Sequence, residues 1–407
     1  MFDVNKIRKD FPILNQPGEQ LVYLDNGATT FKPQSVIDAV LHYYTHNTAN
    51  IHRGDYDNSF AVSAAYDRTR DNVADFINCQ PEEVVFTSGD TAALNLTAYS
   101  FGMQYLQKGD VVLSTESEHA SSILPWFRVA RLKEATIEYI PLTADGQLTL
   151  ASFQAALHDK VKVVVTTHVS NVVGYINPIK EMARLTHQIG AYIVVDGAQS
   201  VPHMKVDVQD LDLDFLAFSA HKMLGPTGVG VLYGRSILLK QMEPLFLGGG
   251  SNARFDRCGN LTLKKAPDKF EAGTPAIEGV LGLNAAIDYL RHVGMDNIQH
   301  YEEELRKYLM LKLSVLDNVI IYNPLALTGI VAMNVKGIFS QDAAAYLNYR
   351  HIAVRAGNHC AKILKDVLKT TDTIRCSLYF YNTKEEIDLF VAALQDVTIE
   401  NCVSLII

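Results

Sequence analysis

AYIVVDGAQS (191–200) and DFLAFSAHKMLGPTG (214–228) decide the fold. Each opens with a strand-length run that is apolar on both faces. Each then breaks into small and polar residues, Asp196 to Ser200 in the first and Ser219 to Lys222, ahead of a Gly/Pro turn, in the second. A strand apolar on both sides belongs in a sheet covered on both faces. The pattern recurs at 84–87 (VVFT), 111–114 (VVLS), 161–167 (VKVVVTT) and 229–233 (VGVLY), with helix-length segments between. The expectation is an α/β fold whose mainly parallel sheet carries helices on both sides. Ligands in such sheets sit at the carboxyl ends of the strands. The polar clusters stand there: SGDT after Thr87, ESEH after Ser114, HVSN after Thr167, DGAQ after Val195 and SAHK after Phe218.

From about residue 291 the pattern changes to amphipathic helices (300–316, 384–397) and strands near 319–323, 329–335, 351–355 and 373–381, a smaller α+β domain. No repeat or flexible linker separates the two parts, so they pack closely with a cleft between them. The 407 residues are enough for two or three domains. With 48% apolar and 20% charged residues, the chain is far from the composition of disorder. Its net charge of −9, from 36 basic and 45 acidic residues, argues against nucleic acid or an anionic membrane as a partner. MFDVNKIRKDFP (1–12) lacks the apolar stretch of a signal peptide. No run of about 18 apolar residues is present to span a bilayer, so a cytoplasmic location is expected. Five scattered cysteines (Cys79, Cys258, Cys360, Cys376, Cys402) without a C-x-x-C pair fit reduced thiols rather than a disulfide framework or zinc knuckle.

Lys222 follows an apolar strand, which is an odd place for a solvated lysine. Against low-dielectric walls an amine loses its proton more readily and can condense with a carbonyl cofactor. Asp196 stands 26 residues earlier, one helix-and-strand unit away, which places both on neighbouring strands at one sheet edge. As a helix N-cap Asp196 would be unremarkable. Paired with Lys222 it suits pyridoxal phosphate, the lysine holding the aldehyde and the carboxylate the ring nitrogen. Gly89 and Thr91 open a helix whose free N–H groups favour an anion, and Ser219 and His221 add donors. His119 can stack on a planar ring and move protons, although an isolated interior histidine is usually structural. Arg375 alternates with the apolar row Ile374, Cys376, Leu378, Phe380, so it faces away from that row and can bind a carboxylate or form a surface ion pair. Cys360 follows a glycine-containing loop and is expected to begin a helix, beside His359 and near Arg355, surroundings that lower a thiol pKa. Cys376 is expected in the small-domain core, the other three thiols as packing or surface groups. His42 and His46 lack a third metal ligand and are expected on a partly buried helix face. Neither GVGVLYG (228–234) nor GGGS (248–251) gives G-x-G-x-x-G leading from strand to helix, which disfavours a dinucleotide fold.

Taken together, DGAQS with SAHK, ESEH, HVSN, FEAGTP (270–275), NHC (358–360) and IRCSLYFYN (374–382) resemble the class V aminotransferase-like enzymes. More narrowly they resemble group II cysteine desulfurases of the Suf/Csd type, relatives of selenocysteine lyases. The likeness runs from YLDNGATT (23–30) to the final helix. It implies the pyridoxal-phosphate transferase fold type I, with a large domain over 14–290 around a seven-stranded sheet and a small domain from 1–13 and 291–407. It also implies Lys222 as the Schiff-base lysine, Asp196 on the pyridine nitrogen, Gln199 on the ring hydroxyl and His119 stacked on the ring. Thr91, Ser219 and His221 would hold the phosphate, joined by Thr274 from the partner in a homodimer. Arg375 and Asn171 would bind the substrate carboxylate, with Cys360 as sulfur acceptor. The implied reaction turns L-cysteine into L-alanine and leaves a persulfide on Cys360, for iron–sulfur cluster assembly or other delivery to a Suf-type acceptor protein. A selenocysteine lyase is the alternative within the fold, and a non-catalytic sulfur-transfer scaffold the alternative outside catalysis. In two places the chain departs from the pattern. Asp90 stands where many relatives have the first of two threonines, and is expected to turn away from the phosphate and cap its helix. Tyr56 stands where relatives often have histidine.

Overall fold

The computed structural model describes residues 2–18 and 21–404. The seven strands of the large sheet are β1 (Val84–Thr87), β2 (Val111–Thr115), β3 (Thr136–Ile140), β4 (Val161–Thr167), β5 (Tyr192–Asp196), β6 (Phe215–Ser219) and β7 (Gly230–Gly234). They lie in the order β1-β7-β6-β5-β4-β2-β3, with β7 antiparallel to β1 and β6 and every other pairing parallel. Six of these strands were legible from their doubly apolar runs. The seventh, β3, has the sequence TIEYI and exposed residues alternating with half-buried ones, because it forms the edge and only part of it is covered.

Alternation along the strands divides the core into two layers. Val111, Leu113, Ile193, Val195, Leu216 and Phe218 point to one side. Val112, Val163, Val194, Phe215, Ala217 and Leu232 point to the other. On the first side lie α1 (Gln34–His46), α2 (Asp57–Ile77) and α5 (Ile179–Gln188), while α3 (Asp90–Leu96) and α4 (Ala120–Lys133) bury residues in the second layer. The long helix α6 (Ile277–Val293) packs on α1 and α2. It also presses on the turn after β6, since a Cβ on Gly282 would lie 2.5 Å from Pro226 Cγ. Glycine here is what allows the helix to support the Lys222 turn from behind.

The second part begins with α7 (Met295–Leu313) and holds an antiparallel sheet of β8 (Val319–Ile321), β9 (Ile330–Val335), β10 (Arg355–Gly357) and β11 (Thr373–Ser377), in the order β8-β9-β11-β10. Helices α8 (Ser340–Tyr349) and α9 (Lys384–Gln395) complete its core, built on Leu305, Leu309, Met333, Leu347 and Phe390. A capping box starts α9: Thr383 Oγ1 accepts from Glu386 N at 3.2 Å and Glu386 accepts from Thr383 N at 3.1 Å.

The strand expected over 373–381 stops at Ser377. There the backbone is drawn to other segments, Ser377 N to Leu24 O at 2.7 Å and Leu378 N to Gly329 O at 3.0 Å. Tyr379, Phe380 and Tyr381 then turn into the seam between the two parts and are fully buried, Phe380 and Tyr381 against Phe11, Tyr381 also against Phe31, and Tyr379 against His203. Burying each such ring contributes about 2 to 3 kcal/mol. Val22–Tyr23 pairs in parallel with Ile352–Ala353, and Val22 and Leu24 enter the small-domain cluster, so the start of the chain also stitches the two parts together. Among the described residues no helix is long and apolar enough to cross a membrane.

Candidate active site

β6 ends at Ser219 and continues as one 3-10 turn, Ala220–Lys222. This turn is clamped through a single carbonyl: Thr29 Oγ1, Thr30 N and Lys32 Nζ donate to His221 O at 3.0, 3.1 and 3.0 Å. Burial pushes the Lys222 amine below its ordinary pKa, while Asp196 and Asp90 resist that shift. Asp196 closes β5 in register with Ala217, is 4% exposed, and accepts from Ala198 N through Oδ1 at 2.9 Å. The expected pair therefore meets at the carboxyl end of adjacent strands.

Around it, Ser219 Oγ accepts from Asp90 N at 2.8 Å, which leaves the hydroxyl proton available to an anion. His221 is held neutral by burial and by Lys222 and Lys32, down to about 4. Thr91 is exposed, its hydroxyl 2.7 Å from Ser121 Oγ at the start of α4. His119 precedes α4 and accepts from Ser121 N through Nδ1 at 3.2 Å; burial lowers its pKa, opposed by Asp196. Gln199 is 3% exposed and donates to Gly27 O at 2.7 Å, yet its Oε1 is buried with no partner. Asp90 departs from expectation. Its side chain makes no cap on the helix; it is 7% exposed, its Oδ1 is buried and unpartnered, and the charges that act on it are Asp196 and Lys222.

Cys360 lies on the loop that follows β10 in the second part of the chain. It does not begin a helix: the next helical residues are Leu364–Leu368, and both His359 and Cys360 are left-handed, with φ of 48° and 61°. Two bonds from the large domain hold them there, Asn171 Nδ2 to His359 O and Ala120 N to Cys360 O, each 2.8 Å. His359 gives the thiol no positive charge. Its Nε2 lies 3.0 Å from Thr373 O, which can only accept, and burial and Arg375 pull its pKa down to about 3. The thiol itself is exposed.

Arg375 is also buried, 2% exposed, because the small-domain sheet turns that face to the large domain rather than to solvent. It donates to Asp25 Oδ1 at 2.7 Å and to Asn171 O at 3.0 Å, and its Nε has no partner. A Cβ on Gly27 would lie 3.1 Å from its Cζ, a contact that would push on the guanidinium, so glycine suits YLDNGATT where it lies across Arg375. Arg355, exposed on β10, stands directly opposite Arg375 in the ladder. The side chain of Asn171 is committed to the Cys360 loop.

Thr274 is not bonded to this cluster within one chain. It accepts from Asn50 at 3.3 Å and lines a cavity of about 300 Å³ with Ser88, Ala92, Gly228, Leu245 and Phe246. Tyr56 is 53% exposed ahead of α2. His42 and His46 are stacked on an exposed rather than partly buried face of α1, and among the described residues no metal-ligating group occurs. Cys376 is in the small-domain core, Cys79 and Cys402 are buried, and Cys258 is exposed.

Two residues of the quoted motifs were passed over. Glu118 receives Thr115 Oγ1, Ser122 Oγ and Thr167 N at 2.6, 2.9 and 3.0 Å, joining β2, α4 and β4 just before His119. Burial raises its pKa to about 7. Asp25, the partner of Arg375, sits in YLDNGATT. A carboxylate at the end of an apolar strand was the available signal in the first case; in the second, nothing local predicted a contact 350 residues away.

The donor set fits pyridoxal phosphate. It offers a deprotonation-prone buried lysine, a buried carboxylate, an amide oxygen without a partner, and hydroxyl and backbone donors at a helix start. Fold and site together define a pyridoxal-phosphate enzyme of fold type I. The chain belongs to the aminotransferase class-V family, whose model matches residues 22–390. It is 44% identical over 396 residues to a probable cysteine desulfurase of Halalkalibacterium halodurans, covering 97% of each chain. The apo cysteine desulfurase of Thermococcus onnurineus is similar, with a TM-score of 0.92, 37% identity, and 96% and 97% of the two chains covered. So is the Escherichia coli cysteine desulfurase CsdA in its S-sulfonic acid form, at a TM-score of 0.91 and 32% identity over 100% and 99% of the chains.

Proposed function

We infer that the chain is a cysteine desulfurase in which Lys222 and Cys360 act from opposite walls of one cleft. The observation that carries this reading is the pinning of the Cys360 loop to Ala120, the residue after His119, at the edge of the Lys222–Asp196 cluster. When bound, pyridoxal phosphate supplies an aldehyde for the substrate amine and a ring that withdraws electrons from its Cα. Lys222 would hold the aldehyde and would take the Cα proton, a task suited to an amine whose burial favours the neutral form. Asp196 would hold the ring nitrogen, Gln199 the ring hydroxyl, and His119 would support the ring. Thr91, Ser219 and His221 would hold the phosphate.

Arg375 binds the α-carboxylate, and Asn171 acts beside it by fixing the loop. The Cys360 thiolate attacks the substrate sulfur. An S–S bond forms as the Cβ–S bond breaks, so that cysteine and the thiol give alanine and a persulfide, with carbon reduced and Cys360 oxidised. Only two residues separate β10 from Cys360, so an acceptor protein of the Suf type has to approach the cleft to collect the sulfur, in the cytoplasm and for iron–sulfur cluster assembly. A homodimer is also proposed, with the partner subunit's Thr274 completing the phosphate site. Its support is the apolar surface around that loop, where Phe246, Leu247 and Phe255 are 69%, 62% and 73% exposed.

The test is incubation with L-cysteine followed by peptide mass spectrometry without reductant. One added sulfur on Cys360 is expected. Alanine formed while Cys360 carries no sulfur would refute the reading.

A further inference from the structure

Within the cluster, Asp90 is a buried carboxyl with an oxygen that nothing binds. Its backbone cannot shift to carry the side chain outward. Asp90 N is fixed to Ser219 Oγ at 2.8 Å, and β7 presses so closely that a Cβ on Gly230 would lie 2.5 Å from Gly89 Cα and 2.8 Å from Asp90 N. No N–H of the first turn of α3 reaches Oδ1, so the usual support for a carboxylate at a helix start is not used. The charged groups facing it are Asp196, from the end of β5, and Lys222, from the turn after β6. Burial, and after it Asp196, favour the protonated form, and Lys222 opposes them. An ionised Asp90 would leave a buried charge without a donor, beside a second carboxylate and next to the residues assigned to a phosphate. A neutral acid avoids these penalties and presents an O–H, the donor a threonine would offer. A buried carboxyl kept neutral in order to donate is an established device in enzyme sites.

We propose that Asp90 is held as the neutral acid and donates its O–H to the bound cofactor, so that this chain retains its cofactor through a proton that alkaline pH removes. The inference rests on the cofactor reading above. Cofactor-loaded wild type, Asp90→Asn and Asp90→Thr are transferred to cofactor-free buffer across the neutral to alkaline range, and release is followed by visible absorbance. Wild-type release should accelerate by up to about tenfold per pH unit as pH rises toward the carboxyl's pKa and level off above it, and both variants, whose donors do not titrate, should lack that rise. The same pH dependence in wild type and Asp90→Asn would overturn the proposal. A second readout uses cofactor-free protein. The infrared difference between wild type and Asp90→Asn at neutral pH should contain a protonated-carboxyl stretch, and its absence would also overturn the proposal. If none of the three proteins takes up pyridoxal phosphate on Lys222, the cofactor reading falls and this inference with it.

Discussion

The turn that carries Lys222 and the loop that carries Cys360 meet at one cleft but are fixed in different ways. The Lys222 turn grows out of a fully buried strand, is backed by α6 through Gly282, and has four donors, from Thr29, Thr30 and Lys32, converging on His221 O. The Cys360 loop has two successive left-handed residues and an exposed thiol, and is held to the large domain by one bond each from Asn171 and Ala120. On the proposed roles, the first arrangement secures a geometry that must not vary while protons move at Cα. The second presents a sulfur to whatever enters the cleft and needs only enough order to keep it there. One difference is electrostatic: Lys222 is surrounded by charges, whereas the histidine beside Cys360 is neutral.

Substitutions that break each side should therefore differ in kind as well as size. The largest effect is expected from Lys222→Ala, which removes both the covalent attachment point and the base. Desulfuration should fall by about 10³-fold or more, and borohydride should trap pyridoxyl on no lysine. Trapping at another lysine would break the comparison by moving its first term. Cys360→Ser should lower alanine production by about 10²-fold or more through loss of the sulfur-accepting nucleophile. Cofactor absorbance should be unchanged, since none of the clamps on the Lys222 turn involves Cys360. An undiminished rate would make the loop irrelevant to chemistry.

Acid should attack both sides. His168, whose backbone N–H donates to Asp196 O at 2.8 Å, and His359, in the Cys360 loop, have pKa values depressed to about 4 and about 3 by burial. A depressed folded-state value means that the unfolded chain takes up the proton first. Stability is therefore complete above the ordinary value of 6.5 and lost as pH falls toward 4. His168 alone accounts for about 3 kcal/mol of that loss. Denaturant titrations of wild type and His168→Leu at several pH values should show a flatter slope in the variant, and parallel curves would exclude the histidine.

Arg375→Ala should raise the KM for cysteine about 10- to 100-fold, the value of one lost charge-assisted contact. Arg375→Lys, which still opposes Asp25, should recover part of it. Smallest of all, Asn171→Ala should loosen the Cys360 loop by about 1 kcal/mol. That should be visible as faster alkylation of Cys360 and faster amide exchange at 358–360, with the cofactor absorbance unmoved.

Much was legible before any coordinates, because local rules govern it. A strand buried on both faces must be apolar throughout, so AYIVVD, FLAFS and their counterparts declared both the sheet and the ends where Asp196, Lys222, Ser219 and His119 would gather. The ordered motifs also declared the family. What the tertiary structure decided involves segments far apart in the chain. The pairing of Arg375 with Asp25 and the capture of the Cys360 loop by Asn171 depend on which surfaces meet when the small domain folds onto the large one, and the burial of Asp90 on how closely β7 packs on the start of α3. Periodicity places a residue on a face, but whether that face meets water or protein is set elsewhere. Hence Arg375, on the correct face, proved buried, Cys360 took a left-handed turn in place of a helix start, and Asp90, which a local rule would have made a cap, was sealed beside Asp196 and Lys222 by the close packing of β7.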